Sequence, residues 1–263
     1  FQAFTGAQVE RSADKPDGEF FARKLPKDAW NRPALSCVQD IVLVHRLREV
    51  VAQYGFTRLD PIPPKSDGES SVGGLKPASL ARSLEWLPTV ENRGEGIFIQ
   101  FKADVIKAWL EKQAVKDREQ VLSQGFKVWK DERPTLDRQF EGAAYYMLHS
   151  LAHMLITSLA LDCGYPMSSL RERIYGGVGM EGSYGILIYT GSSDAEGTLG
   201  GLIEAGRKID RHFLRALQGG KLCSNDPVCS NHDPRSEGAQ NLLGSACHGC
   251  QLIAETSCEQ FNN

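Results

Sequence analysis

Five of the seven cysteines, Cys223, Cys229, Cys247, Cys250 and Cys258, stand between residue 223 and the end of a 263-residue sequence. Their order is Cys223-x5-Cys229-x17-Cys247-x2-Cys250-x7-Cys258. The C-x2-C pair is the core of a zinc knuckle, because small intervening residues let two thiolates converge on one ion at about 2.3 Å. A second pair delivered from a turn closes the tetrahedron, and Asn225-Asp226-Pro227 is such a turn. Five sulfurs compete for four places. Cys247 and Cys250 come first, then Cys229 and Cys223, with Cys258 able to replace any of these; His232 and His248 are spare nitrogen donors. An all-thiolate site is closed to water and substrate, so it braces a segment poor in apolar residues rather than performing catalysis. The competing chemistry, a redox C-x2-C, belongs at a helix start near a βαβ pattern, which Gly244-Ser245-Ala246 does not resemble. Disulfides suit small secreted domains lacking a core. This chain shows no secretory signal, so a reducing cytoplasm and one structural Zn2+ are expected.

His149 and His153 lie four residues apart and would share one face of a helix. They could form a metal or acid–base pair. Ser150 stands where metalloprotease helices carry their Glu, which favours a pair of buried, hydrogen-bonded core histidines instead. The stretch Asp194-Ala-Glu196-Gly-Thr198-Leu-Gly-Gly201 sits between an apparent strand and a helix, where backbone donors can cradle an anion. It carries no Walker A or G-x-G-x-x-G pattern, and Asp194 and Glu196 repel phosphate, so a packing turn is the better reading. His45, Arg46 and Arg48 place three bases on an expected helix, a strip that could touch a nucleic-acid backbone and that Arg58, Arg171 and Arg173 could join in space; a solvated face is the commoner meaning. No nucleophile elbow, kinase set or matched acid pair is visible.

The elements that position these residues are read from periodicity. Helices are expected over 36–54, 103–131, 137–163 and about 198–217, with a short capped helix opening at Ser169. The 137–163 helix is apolar nearly all round and should be central. Strands are expected at 97–101 and 185–190, and a Pro/Gly/Ser-rich linker or loop at 61–77. The fold class is α+β, mostly helical with a small sheet and a C-terminal zinc-binding segment. Three parts follow: an arm or linker over 1–35, a helix/strand region carrying the basic strip over 36–136, and the cysteine-bearing domain over 137–263.

Hydrophobic residues are 41% and the net charge is −3, which rules out wholesale disorder and a globally basic nucleic-acid coat. From Asp137 onward the net charge is −5, so that part is a poor platform for phosphates. No apolar run reaches spanning length. A start at Phe1 suggests a piece of something longer.

Several stretches, in order, resemble the zinc-binding MZB domain of MrfA-type helicases. They are His149-Ser-Leu-Ala-His153, Leu170-Arg-Glu-Arg-Ile-Tyr175, Gly185-Ile-Leu-Ile-Tyr189, Glu196-Gly-Thr-Leu-Gly-Gly201, Cys223-Ser-Asn-Asp-Pro-Val-Cys229, Ala246-Cys-His-Gly-Cys250 and Glu255-Thr-Ser-Cys258. Arg46-Leu-Arg-Glu-Val50, Gly55-Phe-Thr-Arg58 and Gly94-Glu-Gly-Ile-Phe98 extend the likeness to the DrmB family of the bacterial DISARM anti-phage system. The resemblance implies a non-catalytic, cytoplasmic subunit that binds a DrmA-type superfamily 2 helicase. Through that complex it would assist recognition or loading of DNA with a single-stranded portion. It implies zinc ligation by four of the five cysteines. Helicase versions space their cysteines more closely, and no catalytic residue carries over. The alternative is a metal-dependent nuclease or hydrolase using His149, His153, Asp194 and Glu196.

Overall fold

The computed structural model describes residues 1–30, 32–53, 55–56, 78–80, 85–132, 134, 138–180, 182–191, 200–235, 247, 249–260 and 262. The expected linker at 61–77, together with Arg58, Asp194, Glu196 and His248, lies outside them. The strands are β1 (Phe20–Lys24), β2 (Val38–Ala52), β3 (Gly55–Phe56), β4 (Ala78–Ser79), β5 (Thr89–Phe101), β6 (Leu170–Tyr175) and β7 (Gly185–Thr190). The helices are α1 (Gly6–Glu10), α2 (Lys27–Trp30), α3 (Ala103–Leu110), α4 (Gln113–Asp131), α5 (Ala143–Cys163), α6 (Gly201–Gly206) and α7 (Ile209–Gly219).

An antiparallel sheet in the order β1-β2-β5-β7-β6 is the frame, with β3 and β4 forming a separate pair. The architecture is α+β, and the sheet is larger than expected. The helix expected over 36–54 is instead β2, a strand of 15 residues. Ile41, Val42, Leu43 and Val44 are consecutive and all buried, because both faces of the sheet are covered. Ile41 and Leu43 point to the helical face, Val42 and Val44 to the other. Such a doubly buried strand erases the alternation that normally marks a strand, and its apolar run mimics a buried helix.

The helical face is filled by α5. Leu148, Leu155, Ile156 and Leu159 pack with Ile97, Ile99, Leu170, Ile174, Ile186 and Ile188. Burial on nearly every side makes α5 the expected central helix, ended by Gly164 in the left-handed conformation at φ 72°. The opposite face holds Phe98, Val42, Val44, Tyr175 and Leu187. It is covered by the chain's first residues, with Phe4 stacked on Phe98 at 4.9 Å between ring centroids. Residues 1–35 thus supply an edge strand and an apolar lid. The sheet draws β1, β2 and β5 from before residue 137, and β6 and β7 from after it.

The short helix expected at Ser169 is also a correction: Leu170–Tyr175 is β6, at the sheet edge. Leu170, Glu172 and Ile174 are buried, while Arg171 and Arg173 are only half-buried, so the segment alternates with period two. The Ser-x-x-Glu pattern imitates a capping box, but Glu172 faces the core beneath α5. The helix expected over 198–217 is divided into α6 and α7.

Candidate metal centre and neighbouring polar sites

After α7 the chain runs through successive turns with little regular structure. Leu222 and Val228 in this segment are 75% and 72% exposed, so neither supplies a core around the thiols. Four thiols converge instead. One sulfur from each of Cys223, Cys229, Cys247 and Cys250 lies within 4.8 Å of every other. The Cys223 and Cys247 sulfurs are 3.7 Å apart. A tetrahedron with metal–sulfur bonds of about 2.3 Å has edges of about 3.8 Å, so the group fits a zinc ion.

Local backbone explains the convergence. The amides of Cys250 and Gln251 donate to the Cys247 carbonyl, folding the C-x2-C into a tight turn. Gly249 N–H donates to the Cys247 sulfur at 3.3 Å, and Asn225 N–H to the Cys223 sulfur at 3.3 Å. Across from this turn, Cys229 N–H donates to the Asn225 carbonyl, and Asp226 accepts from Ser230 N–H. The Asn225-Asp226-Pro227 bend therefore delivers the second pair of sulfurs. Electrostatics argue for a cation among them. Burial first, then the neighbouring thiols, push Cys229 up to about 12, and burial with the same crowding raises Cys250. Burial also acts to raise Cys247, but the Gly249 N–H and the three other thiols hold it down to about 7. Four sulfurs this close shed their protons together only when a positive ion compensates them.

Cys258, the fifth candidate, is not in this group. It is buried with His149, His153 and Glu172, one donor atom of each again within 4.8 Å of the others. Glu172 was not among the expected site residues; the signal for it was an acidic side chain at an inward position of an alternating strand. Burial opposes charge on both partners, yet Glu172 holds His149 above its ordinary value, and the two histidines hold Glu172 below its own. All seven cysteines are free thiols, so no Cys247–Cys250 bridge is formed.

The start of α6 holds a carboxylate, and it is the protein's own. Glu95, buried on β5, accepts from Gly200 N–H at 2.7 Å and from Leu202 N–H at 2.6 Å. Tyr165 adds its hydroxyl at 3.3 Å. The amides of Gly200 and Leu202 are thereby taken; the rest of the stretch read as a packing turn lies outside the described residues. Gly206 serves that packing: a Cβ there would lie 2.6 Å from Leu43 Cδ2.

The basic strip is corrected in form. His45, Arg46 and Arg48 lie on β2 and not on a helix, and a bulge between Val44 and Leu47 breaks the strand's alternation there. Arg46 binds the Lys15 carbonyl and pairs with Asp14 at 3.2 Å. Arg48 pairs with Glu19 and, at 2.8 Å, with Glu91. Arg171 is tied to Glu49 at 2.8 Å. His45 packs on the Phe21 ring.

The fold and the four-sulfur group define a zinc-binding domain, and comparison with known families gives the same class: residues 151–251 match the family model of MZB, the MrfA Zn-binding domain. The matched span contains all four sulfurs of the group and ends at Gln251, before Cys258. Over 268 aligned residues, covering 100% of this chain, the sequence is 38% identical to the DISARM protein DrmB of Bacillus paralicheniformis. The chain spans 45% of the length of that relative. Among the described residues, no helix is long and apolar enough to cross a membrane.

Proposed function

We propose that this chain is a zinc-braced, non-catalytic portion of a cytoplasmic DISARM anti-phage subunit. In this reading it binds a DrmA-type superfamily 2 helicase and assists recognition or loading of DNA with a single-stranded portion. The observation that carries the reading is similarity over the entire chain to a DISARM protein, together with the closed four-sulfur group inside the MZB match. A thiolate tetrahedron leaves no position for substrate, so its contribution is to hold a segment poor in apolar residues in a shape a partner can read. The net −5 of the region from residue 137 suits a protein partner better than a phosphate backbone. Direct DNA contact by this chain falls to His45, Arg46 and Arg48; Asp14, Glu19 and Glu91 partly offset the two arginine charges.

The hydrolase alternative is not favoured. His149 and His153 are 1% and 0% exposed, beneath the sheet edge, with no open face toward a substrate. The test is co-expression with a DrmA-type helicase, followed by affinity capture. Stable co-purification with a stimulated, DNA-dependent ATPase in the captured partner supports the reading. Separate elution with an unchanged ATPase would contradict it.

A further inference from the structure

A second group of donor atoms lies inside the domain, away from the four-sulfur group. We propose that His149, His153, Glu172 and Cys258 form a second, closed zinc site that fastens the end of the described chain to the central helix. His149 Nε2 lies 2.9 Å from His153 Nε2, 3.0 Å from the Cys258 sulfur and 2.8 Å from Glu172 Oε1. His153 Nε2 lies 3.3 Å from the same carboxylate oxygen. A tetrahedral ion with bonds of about 2.0 Å to nitrogen and oxygen sets ligand atoms about 3.3 Å apart, close to this spacing.

Hydrogen bonding alone does not account for the arrangement. His153 Nδ1 lies 2.7 Å from the Gln251 carbonyl oxygen, which can only accept, so Nδ1 carries the proton. In the neutral ring Nε2 then presents a lone pair toward the centre of the group, the orientation usual for a metal-bound histidine. A single N–H on His149 Nε2 cannot be aimed at a ring nitrogen, a sulfur and a carboxylate at once. Glu172 is the decisive residue. It is 4% exposed; Oε1 lies against the two imidazoles without a directed hydrogen bond, and Oε2 has no partner among the described residues. Buried oxygens of that kind call for a compensating cation.

Cys258 repeats the backbone signature of the first site. Its sulfur accepts the amide of Gln260, two residues on, at 3.4 Å, as Cys223 accepts from Asn225 and Cys247 from Gly249. A second amide, Asn262 N–H, lies 3.2 Å from the sulfur. These amides point at the sulfur as the amides of the first site point at theirs. Two imidazoles, one carboxylate and one thiolate in a dry interior make a set that matches Zn2+ in charge and geometry, with no open position. The site joins α5, β6 and the segment around residue 258, whose carbonyl at Ser257 also receives the Glu172 amide. It stands independently of the partner and DNA assignments, which its failure would leave intact.

The test is metal analysis and zinc-edge X-ray absorption on the unmutated full chain, produced with zinc and washed free of loose metal. The expected result is about two ions per chain sharing about five sulfurs, with the remaining ligands nitrogen and oxygen. Glu172→Gln and Cys258→Ser should each reduce the content to about one ion per chain, in all-sulfur coordination. Cys247→Ser should instead remove the sulfur-rich signal and retain the mixed one. A single ion per chain bound only by sulfur in the unmutated protein would overturn the proposal, whatever the variants do.

Discussion

His153 Nδ1–H donates to the carbonyl oxygen of Gln251 at 2.7 Å. Gln251 follows Cys250 directly, so one hydrogen bond couples the buried face of the central helix to the C-x2-C turn. The four-sulfur group is thereby anchored to the core although its own segment has exposed apolar residues.

Replacing Cys247 or Cys250 with Ser should release the ion and unravel the segment from residue 222 to 250, leaving the sheet folded. Structural zinc contributes on the order of 10 kcal/mol to folding of such segments. Limited proteolysis should show new cuts confined to that segment, and capture of the helicase partner should fail. A variant with a native cleavage pattern and undiminished capture would remove the sulfur group from its scaffolding role.

Glu95 accepts two backbone amides at the start of α6 while wholly buried. Glu95→Gln keeps the size but turns one acceptor into a donor facing N–H groups. We expect a loss of about 2 kcal/mol, since charge-assisted bonds are replaced by an unsatisfied pair. Urea unfolding checks this; a midpoint within error of the unmutated protein would show that the amides find other acceptors.

Gly206 is where α6 meets the sheet. A methyl group there would lie 2.6 Å from Leu43 Cδ2 and 3.0 Å from Ile97 Cγ1. Gly206→Ala gains helix propensity but overpacks the interface, and the second effect should dominate with a net loss of about 1–3 kcal/mol. Thermal unfolding measures the sign directly.

His212 is buried on α7, hydrogen-bonded to Ser158 and 3.6 Å from Asp162. Burial lowers its pKa most, with Arg211 and Arg215 adding to the effect and Asp162 opposing it. The unfolded chain therefore binds this proton more readily than the folded one. Stability from this group is present above about 6.5, the unfolded value, and falls as pH drops below it. His212→Gln should flatten the unfolding midpoint between pH 7 and pH 5; an unaltered slope would assign the acid sensitivity elsewhere.

Arg46→Ala with Arg48→Ala should weaken DNA binding by the assembled complex and reduce its salt dependence by up to about two charges' worth of slope. Titration across a salt series reads both quantities. An unchanged slope would take β2 out of the DNA footprint and leave DNA contact to the partner.

Legibility differed by element for physical reasons. The cysteine spacing announced the metal group because ligand geometry constrains the sequence locally. The central helix declared itself through 21 residues of almost unbroken apolar pattern. β2 did not, because a strand buried on both faces has no alternation to read. Glu172 escaped because a Ser-x-x-Glu spacing suits both a helix cap and an alternating strand, and only the sheet partner decides between them. Cys258 looked like a spare for the sulfur group, yet its companions, His149 and His153, come from more than a hundred positions earlier, a distance no local pattern spans. Glu95 as the acceptor at the start of α6 was equally hidden, since it arrives from β5.

The central claim is that Cys223, Cys229, Cys247 and Cys250 hold a zinc ion as a structural brace. An anomalous difference map from crystals of the chain, with data collected on both sides of the zinc edge, addresses it most directly. The account predicts a strong peak about 2.3 Å from each of the four sulfurs. No peak there, with Cys247 and Cys250 joined as a disulfide, would contradict it.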